Sequence, residues 1–223
     1  MKSQTKKAGI ALAVGALFGS AVAIADGDKG HTFEVTVTNI TGNEIFTPIL
    51  VAAHKRGLSL FSVGEPASSE LEQLAEGGDT GPLKASLLAA GAADVVTADG
   101  VLPPGDSVTL HVTGGRAHNY ISVTSMLVPS NDAFFAANAV RVPRHGRSVS
   151  VYSPAYDAGT ELNDELCVNI PGPPTACAGE GYNTDGGEGY VYIHPGIHGV
   201  GDLAEGVYDW HNPVAKITIR EVR

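Results

Sequence analysis

Thr32-Phe33-Glu34-Val35-Thr36-Val37-Thr38-Asn39-Ile40 sends Phe33, Val35 and Val37 to one side of the chain and Thr32, Glu34, Thr36 and Thr38 to the other. Successive Cβ atoms of an extended chain point to opposite faces, so this period of two marks a strand with one face in a core and the other in water. The pattern recurs where Val108, Leu110 and Val112 alternate with Thr109, His111 and Thr113. Residues 120–128 form a further strand that stops at Pro129, and residues 94–98, 138–142, 147–152, 189–194 and 214–222 complete the series. Residues 46–53 are apolar almost without a break, as expected of a central strand covered on both faces. Between them, Asp99-Gly100 and Pro103-Pro104-Gly105 supply turns.

Helix signals are confined to one excursion. Ser69-Glu70-Leu71-Glu72 reads as a capping box opening a helix that Gly77-Gly78 ends, and residues 82–90, closed by Gly91, read as a second. With no alternation of strands and long helices, the expected fold is all-β, an antiparallel β-sandwich of about eight strands with one or two short helices between strands. No internal repeat or linker divides the chain, so residues 26–223 are expected to be a single domain.

The 28 Gly and 13 Pro among 223 residues exclude a helical bundle, and 43% hydrophobic residues suffice for one sizeable core. Lys2, Lys6 and Lys7, an apolar run over residues 8–23 and Ala23-Ile24-Ala25 have the layout of a signal peptide cut after Ala25, which makes the protein secreted or periplasmic. The run is shorter and richer in Ala and Gly than a typical membrane span, which leaves a single uncleaved N-terminal anchor as the alternative, and no later segment qualifies. Losing three Lys and no acid moves the formal net charge from -10 to -13. So acidic a chain, with no basic stripe, is not built for nucleic acid, and cations are its natural partners. In an exported chain, Cys167 and Cys177 are expected to form a disulfide across a Pro-rich loop.

The chemistry concentrates in Tyr156-Asp157-Ala158-Gly159-Thr160-Glu161-Leu162-Asn163-Asp164-Glu165. Asp157 and Glu161 flank Gly159 and could aim both carboxylates into one concavity, with Asp132 completing it from the preceding loop and Leu162 and Leu166 anchoring the turn from beneath. Both acidic loops open on one end of the sandwich if the strands before them run parallel in space. Calcium takes six to eight oxygens at about 2.3–2.6 Å, which such a set can supply. A solvated acidic loop with Asp157 closing an Asx-turn fits the same spacing equally well.

Ser125-Met126-Leu127-Val128-Pro129-Ser130-Asn131-Asp132, followed by Asp157-Ala158-Gly159-Thr160-Glu161, resembles the spondin domain, the module found in F-spondin. The resemblance implies a β-sandwich over residues 33–222 with a calcium ion at one end, and it places the three carboxylate ligands on Asp132, Asp157 and Glu161. The family's last ligand is usually Asp, so Glu161 keeps the charge on an arm one methylene longer. The flanking modules of F-spondin have no counterpart here, so a stand-alone, non-enzymatic domain with an extracellular protein or glycan as partner is expected.

A different class of function is carried by His194-Pro195-Gly196-Ile197-His198 together with Asp202, Asp209 and His211. Pro195 and Gly196 forbid the helix that aligns two histidines in zinc proteases, which leaves a loop-borne metal-dependent hydrolase using His194, His198 and His211 as the alternative. Residues 179–188 resemble half of a calcium loop but read more simply as a Gly-rich hairpin, and Trp210 as an anchor at the sandwich edge. Ser107 follows Pro-Pro-Gly and opens a strand, which makes Asp106 and Ser107 turn chemistry rather than an esterase nucleophile block.

Overall fold

A computed structural model describes residues 30–143, 146–182 and 186–222. The expected signal peptide, residues 1–25, lies outside the described residues. Eleven strands form two antiparallel sheets. One has the order β5 (Ser107–Gly114), β1 (His31–Asn39), β11 (Ala215–Val222), β8 (Ser148–Ser153). The other runs β10 (Tyr192–Ile193), β9 (Ala155–Asp157), β7 (Ala133–Arg141), β6 (Tyr120–Val128), β3 (Leu50–His54), β4 (Asp94–Thr97), and β2 (Ile45–Phe46) adds to β6.

The alternation of β1 does what its sequence requires. Phe33, Val35 and Val37 are buried and meet Ile121, Val123 and Phe135 of the facing sheet in one core. Their outward neighbours form hydroxyl pairs across strands, as in Thr36 with Thr109 at 2.9 Å. The expected central strand is β3, and it faces two cores. Val51 and Ala53 point into the sandwich, while Leu50 and Ala52 pack under α1 (Ser69–Gly77) and α2 (Thr80–Ala89) with Leu71, Leu74, Leu83 and Leu87. The helices thus form a third layer on the second sheet, and burial on both faces explains the missing alternation.

Three local expectations are corrected. The cap of α1 is Ser68, one residue earlier than the capping box suggests, and its hydroxyl accepts from the Leu71 N–H at 3.3 Å. The strand expected over residues 138–142 begins earlier, at Ala133; Ala133 to Ala137 are buried throughout, so they carry no period. A third helix, α3 (Glu205–Tyr208), one turn long, follows the last loop. Asp106 and Ser107 form the expected turn into β5, with the Gly105 N–H bonded to the Asn39 carbonyl at 3.0 Å.

The Cys167–Cys177 disulfide is formed and closes a ten-residue separation. Cross-linking removes entropy from the unfolded chain, so reduction should cost up to about 3 kcal/mol and lower the melting point of the oxidised protein by several degrees. A reductant that leaves the melting curve unmoved would mean that this loop contributes nothing to global stability.

Candidate functional site

The two acidic loops do open on one end, by a route the sequence does not display. The loop of residues 129–132 leaves β6, and residues 158–165 leave β9, not β8. Since β7 pairs antiparallel with both β6 and β9, those two strands run parallel on either side of it. The chain crosses between sheets at Ser153-Pro154, so β9 continues β8 in the opposite layer.

Asp132 and Asp157 are fully buried and Glu161 is 4% exposed. Asp132 serves as an anchor for the second loop: its Oδ2 accepts the Thr160 N–H at 2.9 Å and the Glu161 N–H at 3.2 Å, with the Thr160 hydroxyl at 3.4 Å. Its Oδ1 is buried without a hydrogen-bond partner among the described residues. Asp157 closes the Asx-turn, its Oδ1 accepting the Gly159 N–H at 2.7 Å, while its Oδ2 accepts from the Asn163 side-chain amide at 2.7 Å. The same amide reaches the Tyr192 hydroxyl at 3.1 Å. Gly159 has φ +67°, and a Cβ there would lie 2.3 Å from the Tyr190 carbonyl oxygen, so the turn needs glycine on both counts.

Burial, reinforced by the charge of Asp157, pushes the Asp132 carboxyl well above its usual range, and burial likewise raises Asp157. Glu161 adds a smaller repulsion on Asp132. Two carboxylates this close and this deeply buried repel each other unless they share a proton or a cation.

Among the described histidines, only His194 joins these acids in a group of potential ligands. Asp132, Asp157 and His194 offer ligand atoms within 4.8 Å of one another, and all three are buried. The pairing of Tyr192 with Asp157 between β10 and β9 places His194 there. Its Nε2 lies 3.7 Å from Asp157 Oδ2, and its ring packs on Trp210 with centroids 5.0 Å apart. Burial, with a smaller effect from His198, drives its pKa down to about 3. His198 and His211 are exposed, and neither joins a group of three potential ligands among the described residues. Asp202 and Asp209 accept backbone N–H groups of Cys167 and Ile197.

Leu162 and Leu166 do not anchor the loop; they are 61% and 41% exposed. Polar groups hold it instead. Asp164 accepts from the Leu166 N–H and from the amides of Asn131 and Asn169, and the buried Glu165 carboxylate accepts the N–H groups of His198 and Val200. Acids in a loop can be backbone anchors as readily as solvated groups.

A further buried acid lies in the turn before β2. Glu44 is 1% exposed, and neither carboxylate oxygen has a partner among the described residues. Burial first, then the nearby Asp209 charge, raise its pKa well above 4.5. The folded state therefore holds this proton more tightly than the unfolded chain, so stability is greatest below the unfolded pKa and falls as pH rises toward the folded one. Glu44→Gln should remove that part of the decline and raise the melting temperature at neutral pH. A variant whose pH–stability curve superimposes on the parent would contradict this.

No curated protein matches the chain. A family model does: Spondin_N matches residues 38–164, more than half of the sequence, and the matched stretch contains Asp132, Asp157 and Glu161. With the sandwich and the two acidic loops in place, that match makes the chain a member of the spondin N-terminal domain family.

Proposed function

We propose that this protein is an exported, non-enzymatic calcium-binding module whose ion fixes one loop end of the sandwich for contact with an extracellular protein or glycan. The observation that carries the reading is the buried pair Asp132 and Asp157, with Asp132 Oδ1 facing no donor among the described residues. Taking carboxylates out of water costs several kcal/mol each unless a cation or strong donors compensate. Asp132 Oδ1, Asp157 Oδ2 and the Glu161 carboxylate are the groups that would hold the ion. All are hard oxygens, which suits calcium. The bound ion would neutralise the repulsion between the loops and so couple residues 129–132 to residues 157–165. Export is supported by the layout of residues 1–25 and by a disulfide that needs an oxidising compartment.

Trp210, the chain's single tryptophan, packs on His194 and reports on the site. Adding calcium should change its fluorescence saturably, with a dissociation constant near the ~10⁻⁴ to 10⁻³ M usual for extracellular modules. No fluorescence change, together with no heat in calorimetry at millimolar calcium, would overturn the reading.

A further inference from the structure

His194 lies outside the stretch that matches the family model, yet its ring is 3% exposed and faces the acids. Which of its nitrogens carries the proton is fixed by the backbone. The Gly196 N–H donates to Nδ1 at 3.0 Å, and a main-chain N–H can only donate. Nδ1 therefore holds a lone pair, the ring is neutral, and its single proton sits on Nε2. The turn that imposes this is specific: Pro195 fixes the chain after His194, and Gly196 has φ +101°, a conformation in which a Cβ would strike Asp209. Trp210 holds the ring in place.

Nε2 has no hydrogen-bond partner among the described residues and lies 3.7 Å from Asp157 Oδ2. We propose that His194 is a positioning and specificity residue of the ion site, directing an Nε2–H at the Asp157 carboxylate so that the site stays a set of oxygens that takes calcium and refuses zinc. This rests on the calcium reading above. A nitrogen that bears a proton has no lone pair for a metal, so zinc, which gains most from imidazole and thiolate, finds only carboxylates here. To recruit the imidazole, zinc would have to move the proton to Nδ1, where it would point at the Gly196 N–H. For calcium, the N–H is an advantage. Its dipole favours the ionised form of Asp157, the form a cation needs.

The test uses the full mature chain labelled with ¹⁵N-histidine, read by long-range nitrogen–proton correlation, with the His194 signals identified by their loss in His194→Gln. In both the metal-free and calcium-saturated protein, Nδ1 should read as unprotonated and Nε2 as protonated, and zinc should leave Nε2 unmoved. His194→Gln, which keeps an N–H near the Nε2 position, should bind calcium within about threefold of the parent, whereas His194→Leu, which presents no N–H dipole to the buried Asp157 carboxylate, should lose about tenfold or more. Circular dichroism of both variants separates loss of binding from loss of fold. A proton on Nδ1, an Nε2 resonance shifted by zinc, or a folded His194→Leu that binds calcium as tightly as the parent would overturn the proposal. A protein that keeps the Nε2 proton but ignores calcium would overturn the calcium reading instead.

Discussion

Asp132→Asn should abolish the stabilisation by calcium while leaving the metal-free protein at least as stable as the parent. The asparagine oxygen can still accept the Thr160 and Glu161 N–H groups that Asp132 Oδ2 accepts, so the loop keeps its anchor. What changes is the other atom. An amide nitrogen replaces Oδ1, the buried oxygen without a partner among the described residues, and cannot ligate a cation. The parent should gain about 2.7 kcal/mol at a calcium concentration 100 times its dissociation constant. For a domain of this size that corresponds to a rise in melting temperature of about 5–10 °C. The variant should show none of it. Without calcium the order should reverse at neutral pH, because Asp132→Asn removes a buried carboxylate that burial and Asp157 both disfavour. Melting curves of the two proteins with calcium and with chelator check both halves. A variant that still responds fully to calcium would remove Asp132 from the ligand set.

The second large effect is expected at Gly159. Its φ of +67° costs any other residue about 1–2 kcal/mol. The added Cβ would also meet the backbone of Tyr190 at 2.3 Å from its oxygen and 2.8 Å from its nitrogen, and backbone there cannot swing aside as a side-chain tip would. The Gly189 N–H bonds to the Gly159 carbonyl at 2.8 Å, so any shift opens the contact between the acidic loop and the segment leading into β10. Gly159→Ala should therefore cost about 3 kcal/mol or more in urea unfolding, near the top of the range for single substitutions. Gly42→Ala, where nothing lies within 4 Å of the added carbon, serves as the control and should be close to neutral. Equal costs at the two positions would show that the turn is not packed as described.

How far the sequence reaches depends on whether a residue's signal is local. The alternation in β1, β5 and β11 survives because one face of that sheet meets water, and those strands lie where the period of two puts them. β7 was harder to read. Its first half, Ala133-Phe134-Phe135-Ala136-Ala137, lies between the sandwich core and the helix layer and shows no alternation. Strands of two or three residues, such as β2, β9 and β10, carry too few positions for any period, and this accounts for the eleven strands where about eight were expected.

The same distinction applies to the site. Asp132, Asp157 and Glu161 could be nominated because their motifs are short and contiguous, and the structure brings all three to the same end, buried. Their support could not be read in advance. Asn163 is in the acidic run, but its amide links Asp157 to Tyr192, a residue 29 positions further on. In sequence His194 is one of three histidines offered as catalytic ligands, and the β9–β10 pairing brings it to Asp157. Leu162 and Leu166 suggest an anchor because they are apolar residues in a polar loop, whereas Asp164 and Glu165 hold that loop through backbone N–H groups.

If buried carboxylates at one end of the sandwich share a calcium ion, as proposed, thermal unfolding of the mature wild-type protein must depend on it. Melting curves in excess calcium and in excess EDTA, at matched ionic strength and neutral pH, should differ by several degrees, with the calcium form higher and magnesium unable to substitute fully. Superimposable curves at millimolar calcium would contradict the claim.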